Sequence, residues 1–268
     1  EFMDNLRIIA DDLGLHEKVN EGIILGLKSG WINNASIIAN GEAYTDAIQR
    51  LKEIPNSNIG VHLVLVEESP LSNPNLIGSL VTSEGRLFKN HKTFFTRYAL
   101  GLIKIKDIEL ELRTQINKVK ESGVRVSFLN SHQHLHLLPG IMNVVIKLAK
   151  EYDISYIRTV REPIDGMNPI RILQLCFLKL LSNKAKISLK KNSIETNDFF
   201  VGFLDAGNLS RKTINKAKEL SKNHEDMVVE LGTHPGHEND DLRTRYKSWG
   251  GYNWQKELNI LKSSNNNQ

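Results

Sequence analysis

Cysteine, long apolar runs and a strong charge bias are all scarce in this chain of 268 residues. Each scarcity excludes a class of protein. The single cysteine, Cys176, cannot form an intrachain disulfide, so a disulfide-stapled secreted scaffold is excluded. The expectation is a reducing, cytoplasmic location, with Cys176 a small buried hydrophobe in its apolar surroundings. The longest apolar stretch, 170–181, is broken by Arg171, Gln174 and Lys179, so no transmembrane segment is expected. Net charge is only +4, too little to call for nucleic acid as a partner. The basic excess is partly local, at Lys184, Lys186, Lys190 and Lys191. It reads as a solvated face, with contact to an anionic substrate or membrane surface as the alternative. Linkers rich in Gly, Ser or Pro are lacking and no repeat is evident, so residues 1–268 read as one domain. Glu1 and Phe2 ahead of Met3 read as a cloning scar, and 262–268 as a polar, frayed tail. For a soluble oligomer a homodimer is the default.

What the chain does have is alternation. Short apolar runs at 6–10, 35–40, 59–65, 124–136, 155–158, 199–203 and 227–232 read as strands. Helical spacing fills 17–28, 44–54, 107–121, the stretch opened by Pro139, 170–182 and 211–221. An irregular excursion over 66–95 is too long for an ordinary loop. The alternation argues a parallel sheet with helices outside. Asp11, Asp12, His62, His132, Arg158 and His234 fall late in, or just after, successive strands. In a (β/α) barrel those ends share one face, where active sites lie. A single-domain distorted (β/α) barrel of the α/β class is the expected fold.

The densest chemistry is Asn130-Ser131-His132-Gln133-His134-Leu135-His136. In an extended strand these three imidazoles project from one face. Such a ladder is either a polar strand face or part of a metal centre, since neutral imidazole is the commonest ligand for borderline metals. Asp11-Asp12 at the end of the first strand offers one carboxylate to a metal and one free as a base, unless the pair merely caps the next helix. His62 adds an imidazole at another strand end, and one carboxylate with two imidazoles leaves positions open for water and substrate. His234, followed by Pro235-Gly236, is placed as a general acid or base. His16 and His237 read as exposed loop residues.

Taken together, Ala10-Asp11-Asp12-Leu13-Gly14, Gly60-Val61-His62-Leu63, the HxHxH segment with Leu138-Pro139, and His234-Pro235-Gly236 resemble the YdjC/ChbG family of carbohydrate deacetylases. The resemblance implies hydrolysis of an N-acetyl group from an N-acetylated sugar or oligosaccharide, with a divalent metal, magnesium by family habit and zinc as the alternative. It implies Asp12, His62 and His132 as metal ligands, Asp11 as general base and His234 as general acid. His134 and His136 are expected to line the pocket, and Arg158 and Glu162 to orient Asp11 or the substrate. Two positions depart from the family pattern: Asn130 stands where an Asp is common, and Phe128 where a His is frequent. The rival readings are another metal-dependent hydrolase on the same barrel, such as a phosphoesterase, and a catalytically silent glycan-binding relative.

Overall fold

Residues 4–165 and 168–265 are described by a computed structural model. Glu1, Phe2, Met3 and the end of the tail, 266–268, lie outside the described residues. Seven strands, all parallel, form one sheet: β1 (Leu6–Leu13), β2 (Asn34–Ile37), β3 (Asn58–Leu63), β4 (Val126–Ser131), β5 (Tyr156–Ile157), β6 (Phe199–Val201) and β7 (Val229–Thr233). Their order across the sheet is β5-β4-β3-β2-β1-β7-β6. Around a ring this is simple chain order with one seam, between β5 and β6. Regular pairing lapses there, but Glu195 exchanges backbone hydrogen bonds with Ser155 and Ile157, and Phe200 N–H donates to the Arg161 carbonyl. The sheet is thus a curled, distorted (β/α) barrel.

The helices are α1 (Glu17–Lys28), α2 (Tyr44–Leu51), α3 (His91–Ala99), α4 (Ile105–Glu121), α5 (Ile141–Glu151), α6 (Pro169–Lys191), α7 (Arg211–Asn223), α8 (Asp240–Arg245) and α9 (Trp254–Asn265). In α1, Val19 and Ile23 turn inward at helical spacing, and His16 rather than an aspartate caps the first turn, its Nδ1 accepting from Lys18 N–H at 3.0 Å. One apolar cluster unites the outer faces of the strands with the helices, from Leu6 to Leu261.

Inside the curl the residues alternate with period two. Ile9, Phe128 and Tyr156 make a separate apolar floor. Phe128 fits because residue 60 is glycine: a Cβ there would lie 2.4 Å from the Phe128 ring. Two residues further along the same strands stand Asp11, Asn130 and Arg158, so the floor gives way directly to polar chemistry.

Three expectations need correction. The HxHxH segment is not extended. The strand stops at Ser131, and 132–137 is a tight helical turn with Gln133 (φ 55°) and His134 (φ 54°) in the left-handed region. Ser131 closes that turn, its Oγ accepting from His136 N–H at 3.0 Å and meeting His136 Nδ1 at 2.6 Å. Cys176 is exposed, because the apolar run around it faces outward on α6 as well as inward. Finally, the tail is helical as far as Asn265, since α9 packs Leu258 and Leu261 into the core.

Candidate metal centre and active site

Neighbouring residues in a regular strand point to opposite faces, yet Asp11 and Asp12 serve one site. The pairing of β1 with β2 shifts register between Ala10 and Leu13, and Asp12 has φ 70°. A bulge of this kind re-aims a side chain at a strand end. It leaves Asp11 on the barrel interior and swings Asp12 towards two histidines. Asp12 Oδ1 lies 3.4 Å from His62 Nε2 and 3.9 Å from His132 Nδ1. The three donor atoms lie within 4.8 Å of one another, the one such group of three among the described residues.

Both oxygens of the buried Asp12 carboxylate lack any hydrogen-bond partner within the described protein. Burial pushes its pKa up to about 7 against the pull of His132, and the charges of Asp11, Glu67 and Glu68 add to the rise. A buried, unpartnered carboxylate is costly unless a cation balances it. The two imidazoles are each held from the far side. His62 Nδ1 meets Asn130 Oδ1 at 2.8 Å, and His132 Nε2 meets Glu67 Oε2 at 3.0 Å. Both rings therefore turn an unengaged nitrogen towards Asp12, which is how metal-ligating histidines are usually oriented. The residues fit a divalent cation.

Asn130 bears on a departure from the family pattern. Its Nδ2 donates to Asp11 Oδ1 at 2.9 Å, and since a carboxylate only accepts, the amide oxygen must face His62. The amide fixes the His62 tautomer without adding a negative charge beside Asp11. Burial, opposed by Asp11, lowers the His62 pKa to about 3, so the ring is neutral. His132 is raised: burial works to lower it, but the hydrogen bond and charge of Glu67, with Asp12 behind, prevail.

Asp11 is the opposite of Asp12. It takes hydrogen bonds from Arg158 Nη1 and Nη2 at 2.5 and 3.0 Å, from Ser36 Oγ at 2.7 Å and from Asn130. Burial alone would raise its pKa, but the charge and hydrogen bonds of Arg158 hold it well below the usual carboxylate range. Arg158 is fully buried; its Nε donates to Glu230, whose other oxygen accepts from Tyr156 at 2.8 Å. Arg158 thus braces Asp11 from beneath and makes no part of the cleft wall.

The site opens into a cleft of about 1170 Å³, whose lining includes Asp11, His62, Glu67, His132, His134 and His234. His134 packs between Phe200 and Phe203. His136 and Glu162 are not in the lining. His136 is buried between Ser131 and the Arg158 carbonyl, which its Nε2 meets at 2.9 Å. Glu162 accepts the backbone N–H groups of Phe203 and Leu204 at 2.8 and 3.1 Å, and so supports the cleft wall from behind.

Sequence reasoning missed several groups. Glu67 follows β3 inside the irregular excursion, with no pattern to mark it. Trp249, in the 3₁₀ turn Lys247–Trp249, lies over His132 with ring centroids 4.7 Å apart. Glu257 on α9 is buried and accepts His234 N–H at 2.5 Å, with its carboxylate 3.9 Å from His234 Nδ1. Burial lifts Glu257 to about 7 and lowers His234 to about 4. Glu230 alone carried a readable signal, as a charged residue inside an apolar strand that has to find a buried partner.

A strand-end Asp–His–His cluster in a (β/α) barrel, beside an ionised carboxylate, is the architecture of a metal-dependent hydrolase. The chain belongs to the YdjC-like protein family, whose model matches residues 5–268. It is 26% identical over 258 residues to a carbohydrate deacetylase of Oceanobacillus iheyensis, covering 96% of this chain and 95% of that one. A carbohydrate deacetylase of Brevibacillus brevis is 33% identical over 147 residues, about half of each chain (55% and 56%). Among solved structures, a putative cellobiose-phosphate cleavage protein of Enterococcus faecalis V583 superposes with a TM-score of 0.72 at 23% identity, covering 96% of this chain and 89% of that one. At that identity the likeness bears on the fold alone.

Proposed function

We propose that the chain is a metal-dependent hydrolase that removes the N-acetyl group from an N-acetylated sugar or oligosaccharide. The observation that carries this reading is the pair of adjacent carboxylates with opposite surroundings: Asp12 unpartnered between two imidazoles, Asp11 fully hydrogen-bonded and ionised. The relatives named carbohydrate deacetylases support the substrate class. A cluster of only three ligands among the described residues favours one metal over the several that a carboxylate-rich phosphoesterase site would hold.

Asp12, His62 and His132 would hold the cation. A divalent ion there supplies Lewis acidity, polarising the acetamide carbonyl and acidifying water. Magnesium is the ion the resemblance implies; two imidazoles and one carboxylate are also donors that zinc takes readily. Asp11, with no proton of its own at neutral pH, accepts one from the attacking water. Its weak basicity makes it a transient acceptor, so the proton moves on towards a more basic group. His234 lies in the same cleft and serves the leaving amine. The Asp11 charge favours the protonated form of His234 during turnover, although burial keeps the resting ring neutral. Tyr252 meets the His234 ring edge-on at 4.9 Å and fixes its plane.

The test is acetate release from N-acetylated chitooligosaccharides with and without added divalent metal. Acetate release that a chelator stops is the expected result. Asp11→Asn is expected to lose about 10²–10⁴-fold in turnover while still binding metal. Near-normal turnover by that variant would remove Asp11 from the role of base. Phosphate release from sugar phosphates without any acetate would favour the phosphoesterase.

A further inference from the structure

The long helix α6 buries only one side. Leu175, Leu181, Ala185 and Leu189 face the core. On the other side Leu173, Leu180 and Ile187 recur every seventh residue and are exposed, Leu173 at 72% and Leu180 at 64%. Phe177 belongs to the same stripe and meets exposed Phe95 of α3 edge-on, ring centroids 5.9 Å apart. Exposed Leu100 and Leu102 follow directly after α3. A contiguous apolar surface of this kind marks an interaction site.

The charge carried by the two helical stretches themselves is of one sign. No acidic residue occurs between Glu84 and Asp107, the stretch that contains α3, where Lys89, Lys92, Arg97 and Lys104 stand. None occurs between Asp165 and Glu195, the stretch that contains α6, where Lys179, Lys184, Lys190 and Lys191 stand. The last three are exposed and make no ion pair within the described residues. A second copy of this chain, docked through the same surface, would set the unpaired cations of the two helices against one another, while Asp198, the acid that meets α6, already pairs with Lys186. An apolar stripe flanked by lysines is instead complementary to an anionic bilayer, where the side chains enter the acyl boundary and the ammonium groups meet lipid phosphates. The two helices also start at the cleft: Asn90, His91 and Lys92 at the head of α3, and Asn168 and Arg171 at the head of α6, line it.

We propose that the exposed faces of α6 and α3 form a docking surface for an anionic lipid bilayer, with the mouth of the cleft beside it. The proposal concerns attachment and not chemistry, so vesicle binding tests it without metal or turnover. The full chain is expected to pellet with phosphatidylcholine–phosphatidylglycerol vesicles and not with phosphatidylcholine alone. Binding is expected to weaken as salt is raised from about 0.1 M to 1 M, where the screening length shrinks from about 10 to 3 Å. Leu173→Glu with Leu180→Glu should cut binding at least tenfold, and Lys184→Glu, Lys190→Glu and Lys191→Glu together by about 100-fold. Should the leucine pair lower the melting temperature, the three lysine reversals at exposed positions carry the test. Three results would overturn the proposal: no pelleting of the parent chain with anionic vesicles, binding that both sets of variants leave unchanged, or a solution dimer that Leu173→Glu with Leu180→Glu converts to monomer.

Discussion

The two carboxylates at the end of the first strand differ by one position in the chain and by everything in their surroundings. Asp11 belongs to a closed network that runs through Arg158 and Glu230 to Tyr156, in which every charge has an opposite neighbour. Asp12 belongs to an open cluster, with two imidazoles in front of it and no donor on either oxygen. The difference separates what the fold does for itself from what it does for a ligand. A satisfied network rigidifies its members, whereas buried polar groups left unsatisfied mark a place where something else binds. The bulge at Asp12 is the local device that allows one strand to serve both.

The largest expected effect comes from opening the closed network. Arg158→Met leaves Asp11 and Glu230 buried and unpaired, and should cost on the order of 3–5 kcal/mol in denaturant unfolding. A loss below about 1 kcal/mol, the range of an exposed pair, would mean that the network is not the brace described above.

Smaller changes probe the open cluster. Glu67→Gln keeps the shape beside His132 but removes the charge, and should weaken metal binding by about 10–100-fold, measured by calorimetry. An unchanged affinity would deny Glu67 its part in orienting His132. Next is the dependence on pH. Asp12, raised to about 7 by burial, must lose its proton before it ligates. Metal affinity should therefore fall about tenfold for each pH unit below that value, and more steeply where His132, also raised, is protonated as well. Titrations between pH 6 and 8 would show a flat profile if neither residue were a ligand.

Much of the closed region was legible in the sequence. Strands alternating with helices, and polar residues at the strand ends, carried the barrel and the gathering of Asp11, Asp12, His62, His132 and His234. The open region was legible as a set of residue types but not as geometry. The HxHxH spacing has the period of a strand, yet the left-handed residues Gln133 and His134 make it a turn, and the three rings part company. His132 goes to Asp12, His134 to the aromatic wall and His136 back into the barrel. Local pattern marks this turn only through Ser131 at its start, and the other contact that fixes it comes from the distant Arg158 carbonyl. Glu67 and Glu257 were invisible for the same reason: each gains its role from a partner distant in the chain. Of the two roles expected of Arg158, orienting Asp11 or the substrate, its fully buried position beneath Asp11 fits the first.

Asp12→Asn tests the central claim most directly, since it should move two quantities in opposite directions. A carboxylate whose folded pKa lies above its unfolded value destabilises the fold once ionised, so the penalty is absent at low pH and complete above about 7. The amide removes it. In the metal-free protein at pH 8, Asp12→Asn should raise the melting temperature by several degrees, a gain on the order of a few kcal/mol. The same variant should no longer bind a divalent cation or release acetate. A variant that melts lower than its parent, or that keeps its metal, would contradict the assignment of Asp12 as the ligand on which the site depends.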